Sequence, residues 1–195
     1  MPDTTQTTVH QHKTFIDINY AGKQLQKREF IKCEFVRCDF SKSELSHNDF
    51  VDCQFSQCNF SLTQVVGTGF SNITFTDCKI LGIDFSTCNK FMFSFSFRGC
   101  ILDYSTFYGA KLRKTAFINC SLREVDFESA DLSLAVFSNC DLTATSFNRT
   151  ILEKTDFRTA QHFSIDPALN NMKKAKFSSA NLAGLLDHFK LDIEG

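Results

Sequence analysis

A surplus of charge of either sign is the first thing this sequence lacks: 21 Lys and Arg stand against 22 Asp and Glu. Bulk electrostatic attraction to nucleic acid or to an anionic membrane is therefore not expected. No apolar run approaches the ~18–20 residues of a membrane span. The polar start MPDTTQTTVHQHK has no apolar segment of the kind a secretory leader needs. A soluble, cytoplasmic protein is expected. Catalytic signatures are missing as well: there is no GxGxxG, P-loop, HExxH or GxSxG. The five histidines are scattered: His10 and His12 in the polar start, His47 facing outward, His162 in a core-facing register and His188 near the end. None pairs with a Cys or carboxylate in a catalytic pattern. No catalytic residue, cofactor or metal site is expected, no small-molecule substrate and no direct binding of nucleic acid. Trp is absent and Pro occurs twice, whereas Phe occurs 23 times.

Those Phe residues are ordered. From Phe30 to Phe85 every fifth residue is apolar, through Phe35, Phe40, Leu45, Phe50, Phe55, Phe60, Val65, Phe70, Phe75 and Ile80. Two residues before each centre the side chain is usually small, as at Cys33, Cys38, Ser43, Cys53, Cys58 and Thr63. A period of five suits neither a helix nor a flat strand. It describes a chain that turns a corner every five residues and points one large side chain inward each time, a repeat architecture. After a gap of 12 residues the pattern resumes at Phe97 and runs to Phe157, so two residues are inserted within Cys88–Phe95.

The nine cysteines show a second period. Cys38, Cys58 and Cys78 are 20 apart, as are Cys100, Cys120 and Cys140, and the two-residue insertion brings the sets into one column. The same correction aligns Phe35, Phe55, Phe75, Phe97, Phe117, Phe137, Phe157 and Phe177. Four pentapeptides therefore make one turn. The fold class is all-β: a right-handed quadrilateral β-helix of about eight coils, roughly 40 Å long at the usual strand spacing, with a short C-terminal α-helix. Its interior is filled by Phe and Leu. No cysteine pair has the C-x2-C spacing of a zinc site, and all nine are expected to be buried reduced thiols.

The expected organisation is a disordered tail over 1–13, a β-helix over 14–182 whose Thr14–Lys27 stretch caps the open end, and a terminal helix over 183–195 capped by Asn181. The ladder breaks twice. Lys90–Phe97 (KFMFSFSF) is expected to form a wide bulge whose extra Phe residues fold over the rod, with Phe95 and Phe97 fitting inward positions; the other reading is an exposed aromatic contact for a partner, with Phe91 and Phe93 as the candidates. Gln161–Lys174 keeps the count of 20 but places His162, Pro167 and Met172 at core positions. Pro167 cannot complete a ladder, so this turn is expected to be irregular, and Asp166–Pro167 is a candidate cis bond.

The stretches FIKCEFVRCDF, FVDCQFSQCNF and SLREVDFESADLSLAVF resemble the A/C-(D/N)-(L/F)-x-x repeats of pentapeptide-repeat proteins, over roughly Leu25–Leu182. KQLQKREFIKCEF and AGLLDHFKLDIEG are similar to the ends of the Qnr-type quinolone-resistance proteins. That resemblance implies a homodimer through the C-terminal helix, with Leu185, Leu186, Phe189, Leu191 and Ile193 as contacts. It also implies DNA mimicry, binding to DNA gyrase and topoisomerase IV, and protection from quinolones. Lys90, Phe91, Met92, Phe93, His162, Asp166 and Pro167, at the two breaks, are the candidate partner contacts. An interaction scaffold with an unrelated protein partner is the other reading, favoured by the balanced charge.

Overall fold

The structure, a computed structural model, describes residues 7–192. Ten short strands are β1 (Thr8–Gln11), β2 (Thr14–Ile16), β3 (Arg28–Ile31), β4 (Glu34–Val36), β5 (Asp49–Val51), β6 (Gln54–Ser56), β7 (Gly69–Thr76), β8 (Phe93–Arg98), β9 (Ala116–Ile118) and β10 (Val136–Ser138). All pair in parallel, and apart from β7 with β8 the register steps by 20 residues, as in Phe15↔Phe35 and Phe35↔Phe55. Single bridges such as Asn19↔Asp39 and Lys111↔Asp131 extend the same ladders over the other sides. The chain is a parallel β-solenoid of about seven full turns. The eighth expected from the sequence, Gln161–Lys174, departs from the regular path.

Corners explain the period of five. The second residue after most centres adopts left-handed backbone: Lys32, Arg37, Lys42, Asp52 and Gln57 have φ between 51° and 54°, while Thr87 and Thr159 hold the equivalent places without it. Such a conformation costs an L-residue about 1–2 kcal/mol. Among the described residues glycine nevertheless fills only five of these positions, and none of the 25 non-glycine residues with positive φ is Val, Ile or Thr. A branched Cβ crowds this conformation, and the two Thr residues at corner positions, Thr87 and Thr159, do not adopt it. Each corner amide donates to the next turn, Lys32 N to Val51 O at 2.8 Å and Arg37 N to Ser56 O at 2.9 Å.

The interior is built from two kinds of position. Centres stack face to face between turns: the rings of Phe117, Phe137 and Phe157 lie 4.9–5.0 Å apart and within 3° of parallel. Neighbouring sides meet edge to face, as Phe127 does with Phe137 at 77°. The small position two residues earlier is more than small. Thr63 Oγ1 donates to Phe40 O (2.7 Å), Thr150 Oγ1 to Phe127 O (2.9 Å), Cys53 Sγ to Phe30 O (3.3 Å) and Asn48 Nδ2 to Leu25 O (2.6 Å). In each case the acceptor is the carbonyl of the centre in the preceding turn. Cys, Thr, Asn and, at Ser105, Ser satisfy there a buried carbonyl that the ladder leaves over; the buried Ser43 hydroxyl is an exception and has no partner. All nine cysteines are buried and unpaired with one another. Burial pushes the Cys53 thiol up to about 12 and raises Cys88 also.

The ends differ from expectation. Residues 8–11 are not a tail: β1 pairs with β3 because the outward Thr8, Val9 and Gln11 tolerate solvent while His10 takes a centre position, stacked on Phe30 at 4.9 Å. Burial, and then Lys13 and Arg28, lower the His10 pKa. Met1–Gln6 and Ile193–Gly195 lie outside the described residues. Thr14–Lys27 is no separate cap but an ordinary turn, with Phe15 and Tyr20 stacked on Phe35 and Phe40. At the other end Ser179–Leu185 and Asp187–Phe189 wind as 3-10 rather than α-helix. Ser178, not Asn181, is the N-cap, and Asn181 closes the capping box and bonds Phe157 O and Ala160 O.

The corner and the thiols each carry an expected outcome. Gln57→Val lowers stability by about 1–2 kcal/mol relative to Gln57→Gly in urea unfolding, because only the branched residue opposes positive φ at an exposed corner. At about pH 8 none of the nine cysteines reacts with a thiol reagent in the native protein and all nine react after denaturation, since burial keeps the reagent from every sulfur.

Candidate functional site

The first break is a bulge at one corner. A 3-10 turn, Phe85–Thr87, is capped by Asp84, and the chain then swings out before β8. Phe70 pairs with Phe93 and Ile73 with Phe95, so the register shift falls between these pairs. Phe95 and Phe97 are buried, Phe93 is half-buried against the core, and Phe91 is 99% exposed. Met92 packs over Gly69, where the absent Cβ leaves room for its sulfur. Of the four residues expected here, Lys90 and Phe91 face outward while Met92 and Phe93 turn towards the rod. A cleft of about 270 Å³ opens beside them, lined also by Tyr108 and Lys111 of the next turn.

The second break resolves differently from the count. His162 is exposed and Phe163 and Ile165 take the inward places, because the chain shifts by one residue to bring apolar side chains inside. Pro167 is exposed on a trans peptide bond, and Met172 is partly buried against the core. Asp166 accepts from the Ala168 amide (2.8 Å) and lies 3.8 Å from His188 Nε2. The three expected contacts therefore sit on one stretch, but His162 points to another turn. Its Nδ1 lies 3.0 Å from Asp141 Oδ1.

Asp141 is a node that sequence reasoning missed. It also accepts from Thr143 Oγ1 and Arg123 Nε, each at 2.6 Å, while Asp103 accepts from Ser121 Oγ at 2.6 Å and from Arg123 N at 3.0 Å. Burial opposes charge on Asp141 but is outweighed by the hydrogen bonds of Thr143, His162 and Arg123, which hold its carboxyl well below the usual range. The only prior signal was the spacing of Asp103, Arg123 and Asp141, which the 20-residue turn places side by side.

Charge is distributed by side. Glu44, Asp84 and Asp126 share a column with uncharged Gln24, Gln64, Thr106 and Ser146 between them, so its carboxylates fall every second turn. The opposite trend marks the next side in the second half, where Lys111, Arg113, Lys114, Lys154, Lys173 and Lys174 are all exposed. The other two sides carry internally paired charges, including Arg37–Asp17, Arg158–Asp156 and Arg123–Asp141. At the C-terminal end Leu185 packs against the core, while Leu182, Leu186, Phe189 and Leu191 are exposed. Gly184 accepts from the Ile165 amide at 2.9 Å, and Phe163 O occupies the space that a Cβ would need. No helix among the described residues is long and apolar enough to cross a membrane.

Asp141→Asn is expected to lower stability by about 1 kcal/mol at about pH 6. A carboxyl held below its unfolded value of 3.8 contributes stability that is complete above that value and lost as pH falls through the folded one. The gap in urea midpoint between wild type and variant therefore closes as the buffer is made more acidic than that.

Known proteins resemble the chain in fold. A structure of trypsin-treated QnrB1, described as a plasmid-mediated fluoroquinolone resistance protein, has a TM-score of 0.53 at 18% identity, covering 98% of this chain and 100% of that one. HetL from the cyanobacterium Nostoc sp. strain PCC 7120, described as involved in heterocyst differentiation regulation, gives 0.43 at 15% identity, covering 89% and 88%. No curated protein matches by sequence. The family described as a pentapeptide repeat region matches residues 28–107, 90–166 and 110–186. Since those matches extend over most of the solenoid, the chain belongs to the pentapeptide-repeat family.

Proposed function

We propose that this chain is a non-enzymatic, protein-binding rod whose partners are DNA gyrase and topoisomerase IV, and that its binding relieves their poisoning by quinolones. The observation that carries this reading is the end-to-end likeness to QnrB1, which covers nearly the whole of both chains. The exposed Leu186, Phe189 and Leu191 support a homodimer joined at the C-terminal turns. Leu185 contributes by anchoring those turns to the core, and Ile193, outside the described residues, is proposed as a contact with them. Lys90, Phe91, Met92 and Phe93 at the first break, with His162, Asp166 and Pro167 at the second, are the proposed enzyme contacts. Phe91 is the anchor, since a fully exposed Phe gains most from being covered.

Charge density argues for a different balance of forces than DNA mimicry implies. Duplex DNA carries one charge per ~1.7 Å of axis, whereas carboxylates on every second turn of a ladder spaced ~4.8 Å are about 10 Å apart. Recognition then rests on shape and apolar anchors more than on copied phosphates. The same observation favours the second reading, a scaffold for an unrelated protein partner.

Gyrase supercoiling with ciprofloxacin tests the choice. Micromolar protein is expected to restore supercoiling, and Phe91→Ser to weaken that effect about tenfold or more while leaving the melting temperature unchanged. If the protein alters gyrase neither with the drug nor without it, the scaffold reading replaces the first.

A further inference from the structure

The corner that carries the two extra residues interrupts the 20-residue offset between turns: the register shifts between the Phe70–Phe93 and Ile73–Phe95 pairs, and a slot opens between the bulge and the Tyr108–Lys111 segment of the next turn. The result is a slot of about 270 Å³ with Phe85, Phe93, Phe91 and Tyr108 among its walls and Lys90 and Lys111 at its sides. Phe85 is buried in the core beneath, and Phe91 stands free.

Two features of the surroundings define what fits. The slot is smaller than the ~300–1,000 Å³ of drug-sized sites, which suits one or two fused rings and excludes a nucleotide or larger cofactor. Its cations are unanswered. Among the described residues, Lys90, Lys111, Arg113 and Lys114 form no ion pair. The neighbouring carboxylates are engaged elsewhere: Asp84 accepts from Ser86, Asp131 accepts from Ser133, and Glu128 pairs with Arg149. An apolar, aromatic slot flanked by unpaired ammonium groups is complementary to a flat ring bearing a negative charge.

We propose that this slot is a binding site for a small aromatic acid. The ring lies among Phe85, Phe93 and Tyr108, and the carboxylate or sulfonate pairs with Lys90 and Lys111 at the opening. This does not rest on the topoisomerase reading.

Fluorescence titration with anilinonaphthalene sulfonate tests it, using naphthoate and the uncharged naphthylmethanol as competitors. The expected result is saturable binding at one site per chain, displaced by naphthoate and not by naphthylmethanol at equal concentration. Joint Lys90→Glu and Lys111→Glu weakens binding about tenfold or more, as loss of charge-assisted bonds implies, with an unchanged melting temperature because both side chains are exposed. Phe189→Ser, at the other exposed apolar surface, leaves the affinity within about twofold. The proposal is overturned if no saturable binding occurs, if the double charge reversal leaves affinity unchanged, if Phe189→Ser removes the signal instead, or if naphthylmethanol displaces the dye equally.

Discussion

Left-handed backbone at nearly every corner is the constraint from which the rest of the rod follows. A corner at every fifth residue is what returns the chain to its starting side after 20, and only that return lets Phe stack on Phe and thiol on thiol. The conformational cost is spread over many exposed, unbranched residues. It is offset by the amide that each corner lends to the next turn and by the apolar burial that stacking creates. The inward donors complete the arrangement. At many corners a Cys, Ser, Thr or Asn from the following turn reaches the carbonyl of a centre. Where Ala130 or Val125 stands at that position instead, packing alone fills the place.

Because inward positions are so fully specified, chemistry is displaced to the surface and to the breaks. Cysteine shows this most clearly. Its number would suggest redox or metal roles, yet every thiol is buried and bonded to a carbonyl or stacked in a column. The outward positions are free to vary, and the four sides have diverged into one acidic, one partly basic and two internally paired surfaces. Partner choice in such a rod is a property of sides and interruptions, not of a pocket within.

Much of this was legible in the residues. Phe and Cys have few ways to be arranged at intervals of five and 20, so the solenoid, the inward thiols and the inward Phe95 and Phe97 could be read directly. What could not be read has a physical pattern. His162 kept the count but lost its place to Phe163, because one residue of slack is enough for the more apolar side chain to win the interior. Thr8–Gln11 looked like a tail because an edge strand with polar outward residues carries only one inward position, and His10 filled it. Corners left no signature beyond the scarcity of branched residues. The Asp141 cluster and the slot beside Phe91 join residues of different turns, which become neighbours only once the turn length is known.

A ladder whose rungs repeat after 20 residues has a consequence for how such a chain changes its length. Adding or removing one whole turn returns every remaining side chain to the same neighbours, since each turn touches only those beside it. Any other change in length must be expelled at a corner. The two residues gained between Cys88 and Phe95 are expelled in this way: the core closes beneath them through Phe95 and Phe97, and only the outline alters. The architecture thus separates two kinds of heritable variation. Whole-turn changes set the reach of the rod, and fractional ones create new surface without disturbing the interior.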